Sequence, residues 1–198
     1  MRISVFTPAR ATNDEWARFH TFRRTLAAET GDDATPPPDE RVEAELSQID
    51  ERRIEQQYVA ELDDGRIVAH FSVSARTPRS PEYETAGHLV RARGQVLPSF
   101  RRQGIASSFL PHALDFLDAR GARVLEASSS VDEGKAFLRA RGFAFGSDQV
   151  GSKLDLGGVD WDVVRRWRED GEKSSPGTVA EVLAPRIPEN RLDELCTA

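Results

Sequence analysis

The run Val96-Leu97-Pro98-Ser99-Phe100-Arg101-Arg102-Gln103-Gly104-Ile105-Ala106 places a proline, two arginines and a glycine where an apolar extended stretch hands over to a helical one. Residues of these types in this order can grip a diphosphate. The first amides of a helix lack intrahelical partners and carry the positive end of the macrodipole, so an anion docked there meets oriented donors. Gly104 lets backbone and ligand approach closely. Pro98 ends ladder pairing of the preceding strand and leaves a gap beside its neighbour. Arg101 and Arg102 add charged donors at the same point.

Several elements must position this turn. Ile3 to Phe6 reads as a first strand. Thr12 with Glu15 forms a capping box that opens a helix to about Ala28, with Trp16, Phe19 and Leu26 at helical spacing. After three prolines in the loop from Gly31 to Pro38, a second helix starts at about Asp39, with Val42, Leu46 and Ile49 on one face. Gln57 to Leu62 and Arg66 to Ser74 are strands joined by the hairpin turn Asp63-Asp64-Gly65. His88 to Leu97 is the strand that enters the anion turn, and Gly104 to Ala119 the helix that leaves it. Pro111 predicts a kink in that helix. Arg123 to Ser128 is a fifth strand and Asp132 to Arg141 a short helix. Phe143 to Phe145 and Gln149 to Leu156 close the sheet.

The block Val96, Pro98, Arg101, Gly104, Ile105, Ala106 resembles the acetyl-CoA signature of the GNAT acetyltransferase superfamily, Val-x-Pro-x-x-Arg-x-x-Gly-Ile-Gly/Ala. The hairpin at Asp63 to Val68 and the helix end Phe137 to Phe143 resemble further family features, so the likeness covers residues 1 to about 156. It implies an α/β (α+β) fold with a mixed central sheet of six to seven strands, splayed between strands four and five and flanked by four helices. It implies acetyl-CoA as co-substrate, with Gln95, Val96 and Leu97 as main-chain partners and Arg101, Arg102, Gln103, Gly104, Ile105 and Ala106 as the diphosphate cradle.

The resemblance further implies N-acetyl transfer to a small-molecule amine. Because an alkylammonium with a pKa near ~10.4 is almost wholly protonated at neutral pH, some group must take its proton. Candidate catalytic residues are His88 and Glu126 as bases and Ser128 as a hydroxyl near the departing thiolate. A packed histidine, an outward carboxylate and a serine capping the helix at Asp132 are the plainer readings. The tyrosine that often serves the family as acid is replaced by Leu138, and a common cofactor-binding asparagine by Val131. That departure supports the alternative of a degenerate acyl-CoA-binding lobe with a structural or regulatory role. His20, His70 and His112 lie on separate elements without metal-ligand spacing, so no metal is expected.

Composition bounds the partners. The chain has 198 residues and a formal charge of −6, which argues against nucleic acid. Residues 66 to 102 nevertheless hold seven arginines against Glu82 and Glu84, a local +5 around the anion turn. No run reaches the ~18 apolar residues of a membrane span, and the single Cys196 excludes an internal disulfide. A reducing, cytoplasmic setting without membrane contact is expected. The domain reading is 1–158 for the acyl-CoA-binding domain and 159–198 for a linker helix, Asp160 to Arg168, with a flexible stretch from Gly171 and a C-terminal arm. Val182-Leu183-Ala184-Pro185 parallels Val5-Phe6-Thr7-Pro8, and Asn190-Arg191-Leu192 parallels Asn13 to Trp16. The arm is therefore read either as the start of a second GNAT repeat in a tandem protein or as a strand added to its own or a neighbour's sheet, which leaves a homodimer open.

Overall fold

Thr12 and Glu15 start the first long helix as their spacing predicts. The Thr12 Oγ1 accepts from the Glu15 amide at 3.3 Å, and the Glu15 carboxylate accepts from the Thr12 amide at 2.7 Å. In the computed structural model, which describes residues 1–31, 36–146 and 156–177, this helix is α1, Asn13–Thr30. Its buried stripe of Trp16, Phe19 and Phe22 meets Phe6 of β1 (Arg2–Phe6), whose ring lies 5.2 Å from Trp16 and 5.0 Å from Phe19. The second helix, α2, spans Asp39–Ser47. Val42 is buried as expected, but Ile49 falls beyond the helix end and is 84% exposed, so it leaves the predicted apolar face.

The hairpin at Asp63-Asp64-Gly65 joins β2 (Arg53–Glu61) to β3 (Ile67–Arg76). Both strands run further than expected at their open ends, because Arg53 to Gln56 pair with Arg76 to Val73. A four-residue helix, α3 (Tyr83–Ala86), precedes β4 (Leu89–Val96), and β5 spans Val124–Ala127. The sheet order is β1-β2-β3-β4-β5. The first three junctions are antiparallel and β4 pairs β5 in parallel, which makes the sheet mixed.

The sheet has five strands among the described residues, not six to seven. Phe143 to Phe145 form no strand: the Gly142 and Phe143 amides donate to the Arg139 and Leu138 carbonyls, closing α6 (Asp132–Ala140) instead of a ladder. The expected strand from Gln149 lies outside the described residues apart from Leu156, which opens a 3-10 turn, Leu156–Gly158.

The helix after β4 is broken where Pro111 predicts. It consists of α4 (Ile105–Ser108) and α5 (Leu110–Asp118), with Phe109 between them. Pro111 has no N–H to offer the Ser107 carbonyl, which accepts from the Phe109 amide instead. Alternation along β3 sends His70 and Phe71 to opposite faces. The Phe19 ring of α1 meets His70 edge-on at 5.0 Å, and Phe109 stacks on Phe71 at 5.0 Å. Thus α1 covers one face, and α4 with α5 covers the other. The core of both layers is continuous through Val59, Ala60, Val68, Ala69 and Val73.

The chain divides into two compact units, Met1–Phe145 and Gly146–Ala198. In the second, α7 spans Trp161–Ser174, and its N-cap Asp160 accepts from the Asp162 and Val163 amides. Gly171 to Ser174, expected as a flexible stretch, continue this helix. The repeat-like residues Val182 to Pro185 and Asn190 to Leu192 lie outside the described residues.

Candidate active site

Parallel pairing between β4 and β5 begins at Leu89↔Val124 and ends at Ala92↔Ala127. Beyond this fork, Arg93 to Val96 keep their ladder with β3 but have no partner strand on the β5 side among the described residues. The Leu97 amide donates to the Val68 carbonyl at 3.0 Å. By the alternation of an antiparallel ladder, Gln95 and Arg93 also turn their backbone polar groups to β3, whereas Gly94 and Val96 turn theirs into the gap. The Val96 carbonyl there accepts from Arg101 Nε at 3.3 Å.

Among the three expected main-chain partners, then, the gap receives Val96. Gln95 faces β3. Leu97 has both groups engaged inside the fold, since its carbonyl accepts from the Phe100 amide at 2.9 Å. Gly94 takes their place. A glycine within a strand pattern marks close backbone approach, and this is the signal that could have found it. A Cβ on Gly94 would lie 2.8 Å from Phe71 Cδ2.

At the C-terminal end of the gap, a 3-10 turn (Pro98–Phe100) leads into the anion turn. Backbone bonds within it stop at Arg101 and resume at Ser108, which donates to the Gly104 carbonyl at 3.1 Å. The six amides from Arg102 to Ser107 donate to no described residue. Arg102 (φ 63°) is the one non-glycine residue with positive φ among those described, and Gly104 follows at φ 82°. Strain of this kind in a non-glycine residue persists where the surroundings enforce it. The space around a Cβ at Gly104 is open to 4 Å. This cradle therefore fits a diphosphate: unspent donors, two exposed or half-buried arginines, and no side chain in the way.

Two contacts not anticipated from the sequence fix the turn. The Ser99 amide and hydroxyl both donate to the Glu29 carboxylate at 3.0 Å, tying it to the end of α1. The Arg141 guanidinium donates to Ser107 Oγ at 2.6 Å, tying α4 to the end of α6.

The two faces of the sheet differ at the fork. On the α4–α5 side, Val90 and Ala92 are buried, Phe109 stacks on Phe71, and Phe71 presses on Gly94. Tyr58 and His112 extend this aromatic layer with rings 5.0 Å apart. Burial, with Asp115 nearby, raises the Tyr58 phenol above its ordinary value. On the opposite side, Arg91, Arg93 and Gln95 alternate outward and are exposed. Arg91 Nε donates to Glu126 Oε2 at 2.7 Å across the parallel register.

Glu126 thus stands one residue before the fork, and Ser128 one residue past it. Both are exposed, and Ser128 makes no side-chain hydrogen bond to a described residue. His88 is not brought to them: it precedes β4, roughly 13 Å of strand from Ala92 at 3.3 Å per residue, and its carbonyl accepts from the Arg123 and Val124 amides. None of the serines caps α6. Its N-cap is Val131, without a side-chain bond, and the Ser129 hydroxyl folds onto Val131 instead.

Of the remaining histidines, His20 and His70 are held in the α1 layer, and His112 belongs to α5. Burial drives His70 down to about 4, with its Nε2 at 3.0 Å from Gln57 Oε1. His20 is buried and sits 2.9 Å from Glu43, stacked on Trp16. Among the described residues no group of three or more histidine, cysteine or acidic side chains could hold a metal ion, and no helix is long and apolar enough to cross a membrane.

Residues 19–143 match the family model described as the acetyltransferase (GNAT) family. No curated protein matches the chain. Among solved structures it is similar to an aminoglycoside acetyltransferase from an uncultured soil metagenomic sample, determined in complex with sisomicin. That match has 17% identity, 78% of this chain and 95% of that one, and a TM-score of 0.56. An aminoglycoside N-acetyltransferase in complex with CoA shares 17% identity over 78% of this chain and all (100%) of its own, with a TM-score of 0.51. A tandem GNAT protein from the clavulanic acid biosynthesis pathway shares 21% identity over 71% of this chain and 43% of its own, with a TM-score of 0.55.

Proposed function

The chain belongs to the GNAT family of acetyltransferases, and from that premise we propose that it transfers an acetyl group from acetyl-CoA directly to the amine of a small molecule. The observation that carries this reading is the run of six amides, Arg102 to Ser107, without a described partner, just past a strand whose pairing with its neighbour stops at Ala92. Bound acetyl-CoA supplies an activated acyl thioester. The amides from Arg102 to Ser107, with Arg101 and Arg102, hold its diphosphate. Gly94 and Val96 offer their main-chain groups to the pantetheine arm, and an unpaired strand amide polarises the acyl carbonyl as charge builds on its oxygen.

In the overall exchange, a nitrogen–carbon bond forms as a carbon–sulfur bond breaks, the acceptor nitrogen gives up protons, and one ends on the coenzyme thiol. Glu126, beside the fork, takes a proton from the incoming ammonium directly or through water, and the Ser128 hydroxyl hydrogen-bonds the sulfur. His88 has no part in this reading, because it lies at the far end of β4. The chain's acyl-CoA domain is taken as residues 1–158.

Calorimetry with acetyl-CoA, followed by thiol-release assays over a broad panel of amines, tests the proposal. Micromolar binding and amine-dependent thiol release are expected. Binding with no release across the panel would sink it and leave the competing reading of a CoA-holding lobe, which Leu138 favours because a leucine cannot reprotonate the thiolate.

A further inference from the structure

One guanidinium on the α1 side of the sheet, at the exposed stretch of β4, has no counter-charge among the described residues. Arg91 is neutralised by Glu126 at 2.7 Å. Arg93, two residues on and just past the fork, is exposed, and its side chain makes no ion pair or hydrogen bond with any described residue. Its register neighbours are neutral: Ser72 lies opposite on β3, and His70 opposite Gln95. The carboxylates that α2 turns toward α1 on this side of the sheet are already engaged. Asp39 lies 3.1 Å from Arg23 and 2.7 Å from Arg24, and Glu43 lies 2.9 Å from His20.

The same position on the other face is closed by Phe71, Phe109 and the buried Ala92. An acceptor that reaches the fork therefore arrives over the face that carries Arg93. From there to Val96, where the cofactor arm leaves the diphosphate cradle, is roughly 10 Å of strand at 3.3 Å per residue.

We infer that Arg93 is the specificity residue of the acceptor site and that the acceptor is an amine bearing a carboxylate. The inference rests on the acetyltransferase reading above. A guanidinium presents a planar fork of donors that matches a carboxylate in two parallel hydrogen bonds. Gln95 and Ser128 add neutral donors on the same face, while the Arg91–Glu126 pair keeps net charge at the fork low. One unpaired positive charge suits a monoanion and repels a polycation.

Matched amines test this: lysine against cadaverine, tyrosine against tyramine, O-phosphoethanolamine against ethanolamine, and spermidine as a polycation. Each is assayed for thiol release with acetyl-CoA and by calorimetry into the CoA-saturated protein. Lysine and tyrosine are expected to exceed their decarboxylated partners at least tenfold in kcat/KM or in association constant. Arg93→Met erases that discrimination without changing the affinity for CoA, and Arg93→Lys restores part of it.

Equal or better performance by cadaverine, tyramine or spermidine overturns the inference, as does discrimination that survives Arg93→Met. In either case continued thiol release leaves the acetyltransferase reading standing. Preference for O-phosphoethanolamine over both amino acids overturns the carboxylate assignment. If no amine releases thiol, calorimetric discrimination that is lost in Arg93→Met upholds the carboxylate site while the acetyltransferase reading fails. Its absence removes both.

Discussion

Glu126, Gly104 and His70 each tie one physical property to one measurement. Replacing Glu126 with Gln keeps its size and its contact with Arg91 Nε but removes the proton acceptor. A fall in kcat of about 10²-fold or more is expected, with KM for acetyl-CoA unchanged; an unaltered kcat assigns the proton to solvent. At Gly104 the backbone sits at φ 82°, where a β-branched residue is strained by about 1–2 kcal/mol. Gly104→Val is expected to weaken CoA binding more than tenfold by calorimetry, because its side chain enters the space the diphosphate needs, while a melting curve shows a shift of only a few degrees. His70 is held near 4 in the folded chain, below the ~6.5 of an exposed histidine. Unfolded chains therefore bind the extra proton first. Stability is complete above about pH 6.5 and declines as pH falls from there toward 4, by as much as about 1.4 kcal/mol per unit. Urea unfolding at a series of pH values should show this slope, and His70→Gln should flatten it.

Where β4 parts from β5, packing on one face decides what the gap can hold. Gly94 has room for no side chain against Phe71, whose ring in turn stacks on Phe109 of the α4–α5 break. Gly94→Ala must push that ring, and overpacking of this kind typically costs about 1–3 kcal/mol. A lower urea midpoint with an unchanged slope is the expected result, accompanied by weaker CoA binding if the displaced Phe71 tilts α4. Elements with a strong local signal were legible from the chain alone: the Thr12–Glu15 cap, the Asp63-Asp64-Gly65 turn and the Pro111 break all rest on short-range chemistry. The anion turn was legible for the same reason. Main-chain direction within β4 was not, because it depends on a register set by β3, and so Leu97 and Gln95 were assigned to a gap that Gly94 and Val96 face. Nor did the residues around Phe143 announce that their amides would close α6 instead of joining a ladder. His88 and Glu126 were both candidates as bases until strand pairing put Glu126 beside the fork and His88 a strand length away.

Across the whole molecule, the anion turn is braced from distant parts of the chain, through Glu29 at the end of α1 and Arg141 after α6. A protein ending at residue 158 retains both braces and is expected to bind CoA within about threefold of the full chain, since every residue assigned to the cradle precedes that point. A larger loss in the same calorimetric titration would assign part of the site to the C-terminal unit. The Arg101 contact to the Val96 carbonyl has a consequence for the free protein in solution. Bare strand borders template the growth of intermolecular sheet, and charged side chains are a common safeguard against it. With its guanidinium over that carbonyl, Arg101 shields the exposed stretch of β4 from foreign backbone whenever no ligand lies along it. Arg101→Ala strips the shield, so ligand-free samples of that variant should scatter more light with time, and saturating coenzyme should keep them clear.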